Sequence, residues 1–201
     1  AATVAASKGI LVVNSAGNEA RDNWHYIDTP ADADSVLAVG GTDPGTDLHI
    51  YFSSFGPTSD GRLKPNVTAP ADIIAASVSG IKEAFGTSFS APLVAGFAAC
   101  AWQTNRSLSN MQVFREIEKS GHLYPYFDYA HGYGIPQAKY FTDTTRTIEP
   151  TFDFVIVNDQ IKIVLREKYS YPDQEIALGY TAQRNLFYKV TDKYGSVKSY
   201  T

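Results

Sequence analysis

Cysteine, methionine and tryptophan are scarce in this sequence of 201 residues, which contains one Cys, one Met and two Trp. Because Cys100 is the only cysteine, an intrachain disulfide is excluded and cysteine usage does not indicate a redox compartment. Apolar runs are also short. The longest, residues 91–102, is well below the 20 or so residues that a membrane-spanning helix needs. It predicts a buried helix and no membrane span.

Clusters of basic residues are missing too. The chain has 17 Lys and Arg against 21 Asp and Glu, which gives a formal net charge of −4. A protein that binds nucleic acid needs a basic patch for the phosphate backbone, so we expect no nucleic acid partner. The 44% of hydrophobic and 19% of charged residues are typical of a globular protein with a sizeable core.

Three short apolar runs with turn-rich flanks favour an α/β fold. They are ILVVN at 10–14, SVLAVGG at 35–41 and DIIAAS at 72–77, and runs of this kind are typical of parallel strands covered on both faces. We therefore predict a partial doubly wound parallel sheet.

Helix signals surround these strands. Lys8 and Gly9 end a first helix, and a second begins near Ser88 with apolar residues on every side, so we expect it to be central. Ser109 and Gln112 form a capping box for a third helix that ends at Gly121. Pro136 starts a short last helix.

After Pro150 the pattern changes to alternating strands. FDFVIV and QIKIVL flank a turn at Asn158 and Asp159, and a second hairpin is predicted around a turn at 192–195. We predict two domains: residues 1–147, and a small antiparallel β-sandwich-like domain at 148–201 that is incomplete because a stable sheet needs several strands.

Ser88 is the candidate nucleophile of the segment AFGTSFSAPLVAG at 84–96. Gly86 allows close approach of a substrate, and the free N–H groups of a helix start can bind an oxyanion. Ser90 lies within the first turn and is expected to point elsewhere. Taken alone, a Gly-Thr-Ser segment at a helix start is more often a simple N-cap than a nucleophile.

Asn18 is the second candidate. It follows the strand ILVVN through Ser15, Ala16 and Gly17, at the strand's carboxyl end, where open α/β sheets bind ligands. Its side-chain amide could donate a hydrogen bond to an oxyanion. The alternative is an ordinary turn asparagine.

Five segments together resemble the subtilisin-like serine peptidases: VVNSAGNEA, SVLAVGGTD, YFSSFGP, KPNVTAPA and GTSFSAPLVAG, in family order and followed by GYGIP. The resemblance implies that residues 1–147 are the C-terminal portion of a subtilisin-like peptidase domain. It also implies that Ser88 is the nucleophile, that Asn18 is the oxyanion-hole side chain, and that Ser15, Ala16 and Gly17 bind substrate. At the end of the segment KPNVTAPA, where the family usually has Gly, this sequence has Ala71.

The catalytic His and Asp of that family precede the serine, but residues 1–17 contain neither. The four histidines present, which are His25, His49, His122 and His131, lie in turns and loops. We therefore expect that an N-terminal part of the same protein supplies both groups and that this chain alone is inactive. We also expect an exposed sheet edge that promotes self-association.

The resemblance further implies a polypeptide substrate and an extracellular or periplasmic location. We expect no cofactor, and no carboxylate cluster indicates a metal site. Two alternatives remain open, a non-catalytic pseudopeptidase that binds peptides and an adhesion module in which the β domain has the main role.

Overall fold

The chain divides into two compact units, Ala1–Thr144 and Thr145–Thr201. The structure, a computed structural model, describes residues 1–143, 152–158, 160–165, 188–191 and 197–200. None of the helices in these ranges is long and apolar enough to cross a membrane.

A parallel sheet lies at the centre of the first unit. The elements run in the order α1 (Ala2–Ser7), β1 (Val12–Ser15), β2 (Val36–Thr42), β3 (Val67–Pro70), β4 (Asp72–Ser77), β5 (Gly80–Phe85), α2 (Thr87–Thr104), α3 (Asn110–Ser120) and α4 (Lys139–Thr142). Strands β1, β2 and β3 pair in parallel in that order, with Val12 opposite Val36 and Val39 opposite Val67. The predicted parallel sheet is confirmed.

The third strand of the sheet was predicted wrongly. Residues 72–77 form β4, which pairs antiparallel with β5, and β3 takes the third place in the parallel sheet. The prediction was wrong because it assumed that the apolar side chains of residues 72–77 are buried. Ile74 is instead 73% exposed. Strand β3, by contrast, contains a fully buried Thr68 and ends in Pro70, so its sequence shows no continuous apolar run.

Strand β2 is buried along its whole length because both faces of the sheet are covered. Leu37 and Val39 belong to the larger core cluster, whereas Ala38 between them belongs to a smaller one. The larger cluster consists of buried residues from the sheet, α2 and α3: Leu37, Val39, Val67, Ala69, Val94, Ala98, Val113, Phe114 and Ile117. The smaller cluster consists of Ala16, Ile27, Ala31 and Ala38.

Helix α2 begins where the sequence predicts but is buried on one side only. Its buried residues are spaced three or four apart, as one stripe of a helix requires, and are Thr87, Ser90, Val94, Ala98 and Ala101. Leu93 on the other side is 49% exposed. The helix expected to be buried and central thus contributes one side to the core, through Val94 and Ala98, within the described residues. Small apolar residues all round the helix do not reveal which face packs.

The cap of α3 was predicted correctly. Ser109 Oγ accepts from Gln112 N, and Gln112 Oε1 accepts from Ser109 N, with Gly121 as the C-cap. Such a reciprocal cap satisfies backbone donors that a helix start leaves free. The last helix, α4, begins at Lys139 rather than at Pro136.

A buried lysine connects the sheet to α3. Lys64 is 3% exposed, and its Nζ donates to Val36 O and to Asn66 Oδ1. Asn66 also accepts from Ala38 N and donates through Nδ2 to Glu118 Oε1 on α3. Burial lowers the pKa of Lys64 from 10.5 to about 8, because the charged form is poorly solvated there.

The free energy of unfolding is expected to rise with pH because the pKa of Lys64 is lowered in the folded chain. Between pH 8 and 10.5 the unfolded chain keeps the proton that the folded chain loses, so the free energy of unfolding increases with pH. A pKa difference of this size corresponds to roughly 3 kcal/mol. Urea unfolding at pH 7.5 and pH 10 should show this increase in the wild type and not in Lys64→Met. An equal increase in both proteins would contradict it.

The second unit contains two antiparallel hairpins, β6 (Phe152–Val157) with β7 (Gln160–Leu165) and β8 (Tyr188–Thr191) with β9 (Val197–Tyr200). Asn158 in the first turn has φ 51°, a left-handed conformation that Asn tolerates. Both hairpins are confirmed. Asp159 and the turn at 192–195 lie outside the described residues, and the sandwich-like assembly stays a prediction.

Candidate active site

Ser88 is an exposed residue in the first turn of α2, shortly after the hairpin β4–β5. Gly86 is the N-cap, and its φ of 138° lies in a region that favours glycine. Its N–H donates to Ala71 O at 2.8 Å, which closes the base of the hairpin. Ser88 is the second helical residue, so its backbone N–H is one of those that a helix leaves without an internal partner.

The two neighbouring serines differ in surroundings. Ser90 is fully buried, and its Oγ donates to Pro70 O at 3.0 Å. Ser88 is exposed, and its Oγ has no hydrogen-bond partner in the described ranges. Only Ser88 therefore presents an accessible hydroxyl, and Ser90 points elsewhere, as the sequence predicts.

Asn18 is brought to the start of α2 by the end of β1. Its Oδ1 accepts from Thr87 N at 2.9 Å and from Thr87 Oγ1 at 3.1 Å. With Oδ1 held in this way, Nδ2 remains a donor with no partner among the residues that the structure describes. A Cβ placed on Gly86 would lie 3.8 Å from each of Asn18 Nδ2, Asn18 Oδ1 and Ser88 N, so the Asn18 amide and Ser88 N both lie next to Gly86. The two donors thus border the same small space, beside Ser88.

Ser15, Ala16 and Gly17 form the link between β1 and Asn18. Ser15 is half-buried and pairs with Val39, while Ala16 is fully buried and donates from N to Val39 O at 2.8 Å. Gly17 has φ 116°, and its carbonyl accepts from Thr87 Oγ1 at 3.1 Å. These contacts give the three residues a supporting role at the site. Their contact with substrate stays a prediction.

A pair of carboxyl groups behind Asn18 was missed by sequence reasoning. Burial, followed by hydrogen bonding and repulsion from Glu19, raises the pKa of Asp28 to about 6. Burial acts in the same direction on Glu19, but hydrogen bonds from Asp28, Ser54 and Asn18 N outweigh it and lower its pKa. The two groups therefore share a proton below about pH 6. No local motif joins them, because they come together only when the loop after β1 folds back.

The histidines have other partners. His131 Nδ1 lies 3.1 Å from Asp128 Oδ2, and His122 Nδ1 accepts from Ile135 N. His49 Nε2 lies 2.8 Å from Ser53 O, and burial followed by repulsion from His131 lowers its pKa to about 4. Within the described part of the chain, no histidine hydrogen-bonds to Ser88. The same ranges contain no group of three or more His, Cys, Asp or Glu that could hold a metal ion.

Comparison with known proteins gives consistent results. The model of the subtilase family matches residues 1–134. Subtilisin BL of Lederbergia lenta is 33% identical over 116 residues, which are 58% of this chain and 40% of that protein. Serine protease AprX of Bacillus subtilis (strain 168) is 32% identical over 137 residues, and the match covers 57% of this chain and 30% of that protein.

A solved structure agrees with these relatives. Sphericase superposes with a TM-score of 0.57 and 26% identity over 68% of this chain and 51% of the other. The chain thus spans about half or less of the length of the relatives named here. The matched residues contain Asn18, Ser88 and the parallel sheet that carries them. The chain belongs to the subtilase family.

Proposed function

We propose that the protein is a serine endopeptidase in which Ser88 is the nucleophile and Asn18 is the oxyanion-hole side chain. The observation that carries the proposal is the common space bordered by Asn18 Nδ2 and Ser88 N. Two N–H donors close together beside an exposed hydroxyl are what acyl transfer needs, since the negative charge of the tetrahedral intermediate develops next to the attacking oxygen.

The proposed reaction proceeds in two steps. Ser88 Oγ attacks the carbonyl carbon of the peptide bond while a base takes its proton, and the oxyanion accepts hydrogen bonds from Asn18 Nδ2 and Ser88 N. The amine leaves with that proton, and an acyl-enzyme ester remains on Ser88. Water then attacks the ester, the base again takes a proton, and the carboxylic acid is released with Ser88 restored.

The base is the part of the proposal that these residues do not supply. All four histidines lie in the described residues, and none of them hydrogen-bonds to Ser88. We propose that a histidine and an aspartate from outside the 201 residues complete the triad, and that this chain alone hydrolyses peptides slowly or not at all.

The proposed substrates are polypeptides, and the proposed location is extracellular. Ser15, Ala16 and Gly17 are proposed to contact the substrate residue that precedes the cleaved bond, since they lead directly into Asn18. Asn18 Nδ2 would stand at the cleaved carbonyl itself, so the preceding side chain falls beside this segment.

A fluorophosphonate probe tests the function. Incubation of the full-length protein with the probe, followed by digestion and mass spectrometry, should locate one adduct on the peptide that contains Ser88. Heat-unfolded protein serves as the control, because activation of the hydroxyl depends on the folded site. An adduct on another residue would contradict the assignment of Ser88. Absence of any adduct from the folded protein would instead support a non-catalytic, peptide-binding role.

A further inference from the structure

The segment YFSSFGP contains two adjacent serines to which the proposed reaction gives no role. Ser53 and Ser54 are both fully buried. Ser53 Oγ accepts from Gly41 N at 2.9 Å, within the region of β2. Ser54 instead contacts the turn that carries Asn18. The two serines are therefore equally buried but have different hydrogen-bond partners.

Ser54 makes three hydrogen bonds to that turn. Its N–H donates to Gly17 O at 3.0 Å, its Oγ accepts from Glu19 N at 3.2 Å, and its Oγ donates to Glu19 Oε2 at 3.0 Å. The Glu19 carboxylate in turn accepts from Asn18 N at 2.5 Å. Ser54 therefore holds the peptide groups on both sides of Asn18. It binds Gly17 O and Glu19 N directly, and it reaches Asn18 N through the Glu19 carboxylate.

These contacts complement those of Thr87. Thr87 holds the Asn18 side chain at Oδ1, and its hydroxyl proton is shared between Oδ1 and Gly17 O, so Thr87 alone restrains the backbone of the turn only weakly. Gly17 has φ 116° and gives the turn little stiffness of its own. A Cβ on Gly17 would lie 2.6 Å from Ser54 Oγ, so the serine packs directly against the flexible residue. Fixing Nδ2 in space therefore needs the backbone contacts as well.

We propose that Ser54 is a positioning residue that, together with the carboxylate of Glu19, holds Asn18 Nδ2 at the oxyanion. This inference rests on the proposed function. Ser54 is buried and acts on the reaction only through Asn18. Misplacement of a catalytic donor by about 1 Å can cost up to 10²-fold in rate, so loss of these bonds has a kinetic effect separate from stability.

A double-mutant cycle on the full-length protein tests the role. Ser54→Ala is expected to lower kcat about 10-fold with KM within about twofold. In an Asn18→Ala background the same substitution should change kcat by less than about twofold, because the donor that it positions is already gone. An equal loss in both backgrounds would overturn the proposal. Ser53→Ala, the matched control of equal burial, should leave kcat within about twofold.

Rescue by a conservative change at Glu19 gives a second kinetic criterion. Glu19→Gln retains an acceptor for Asn18 N and Ser54 Oγ, so its kcat should exceed that of Glu19→Ala by about fivefold. Equal kcat values in the two variants would contradict the part assigned to Glu19.

Amide hydrogen exchange separates this proposal from the proposed function. Ser54→Ala should speed exchange at Asn18 and Glu19 about tenfold or more, whereas Ser53→Ala should act at Gly41. If Asn18→Ala leaves turnover unchanged, the proposed function fails, and exchange alone decides whether Ser54 positions the turn. Unchanged exchange at Asn18 and Glu19 would overturn the role of Ser54.

Discussion

If the proposed function holds, replacement of Ser88 by alanine is expected to lower kcat of the full-length protein by about 10⁶-fold. This magnitude is the one known for the nucleophile of subtilisin, a member of the same family. The expectation rests on the exposed Oγ of Ser88 beside its own N–H and Asn18 Nδ2. Hydrolysis of a peptide p-nitroanilide under single-turnover and steady-state conditions measures it.

Ser90 supplies the matched control for this substitution. Its buried Oγ donates to Pro70 O, so Ser90→Ala should cost about 1 kcal/mol of stability. Its kcat should stay within about twofold of the wild type, since the hydroxyl does not reach the site. Comparable losses of kcat in the two variants would show that neither is specific to the chemistry.

Loss of the Asn18 amide is expected to have the second largest effect. Asn18→Ala should lower kcat by about 10² to 10³-fold with little change in KM, again the magnitude of the corresponding donor in subtilisin. Thr87 N and Oγ1 both lie within hydrogen-bond distance of Oδ1, so in the proposed mechanism the amide nitrogen, not the oxygen, donates to the developing charge. The amide therefore acts mainly on the transition state, which appears in kcat.

Two further variants make this prediction specific. Asn18→Asp keeps an acceptor for Thr87 but replaces the donor by a carboxylate oxygen, so its kcat should be no higher than that of Asn18→Ala. Asn23→Ala alters an exposed asparagine a few residues further along the chain and should leave kcat unchanged. An Asn18→Ala variant with wild-type kcat would remove Asn18 from the mechanism.

Local signals predicted the elements of the fold that depend on neighbours in the sequence. The capping box of Ser109 and Gln112, the hairpin around Asn158 and the continuous apolar strand β2 all follow from short-range rules. The exchange of β3 and β4 in the predicted sheet has a different origin. Apolar composition does not determine burial when two short strands follow each other and only one pairs with β2.

The candidate site divides in the same way. Ser88 and Asn18 could be nominated because each follows a recognisable strand or helix boundary. Ser54 could not, because it is 36 positions from Asn18 and only the fold brings its loop to the turn that carries Asn18. The exposed side of α2 was likewise unpredictable, since its residues resemble those of its buried stripe.

The hairpin β4–β5 has a consequence for protein engineering. Its strands pair with each other from Asp72–Phe85 at the base to Ser77–Gly80 near the tip, and Val78 in the turn is fully exposed. The hydrogen bond from Gly86 N to Ala71 O closes the base independently of the turn. A peptide epitope or a fluorescent label inserted between Val78 and Ser79 would therefore extend the tip without displacing the start of α2. The hairpin thus offers an attachment point that is separated from the candidate nucleophile by the length of six paired residues, so a reporter there would leave the site free.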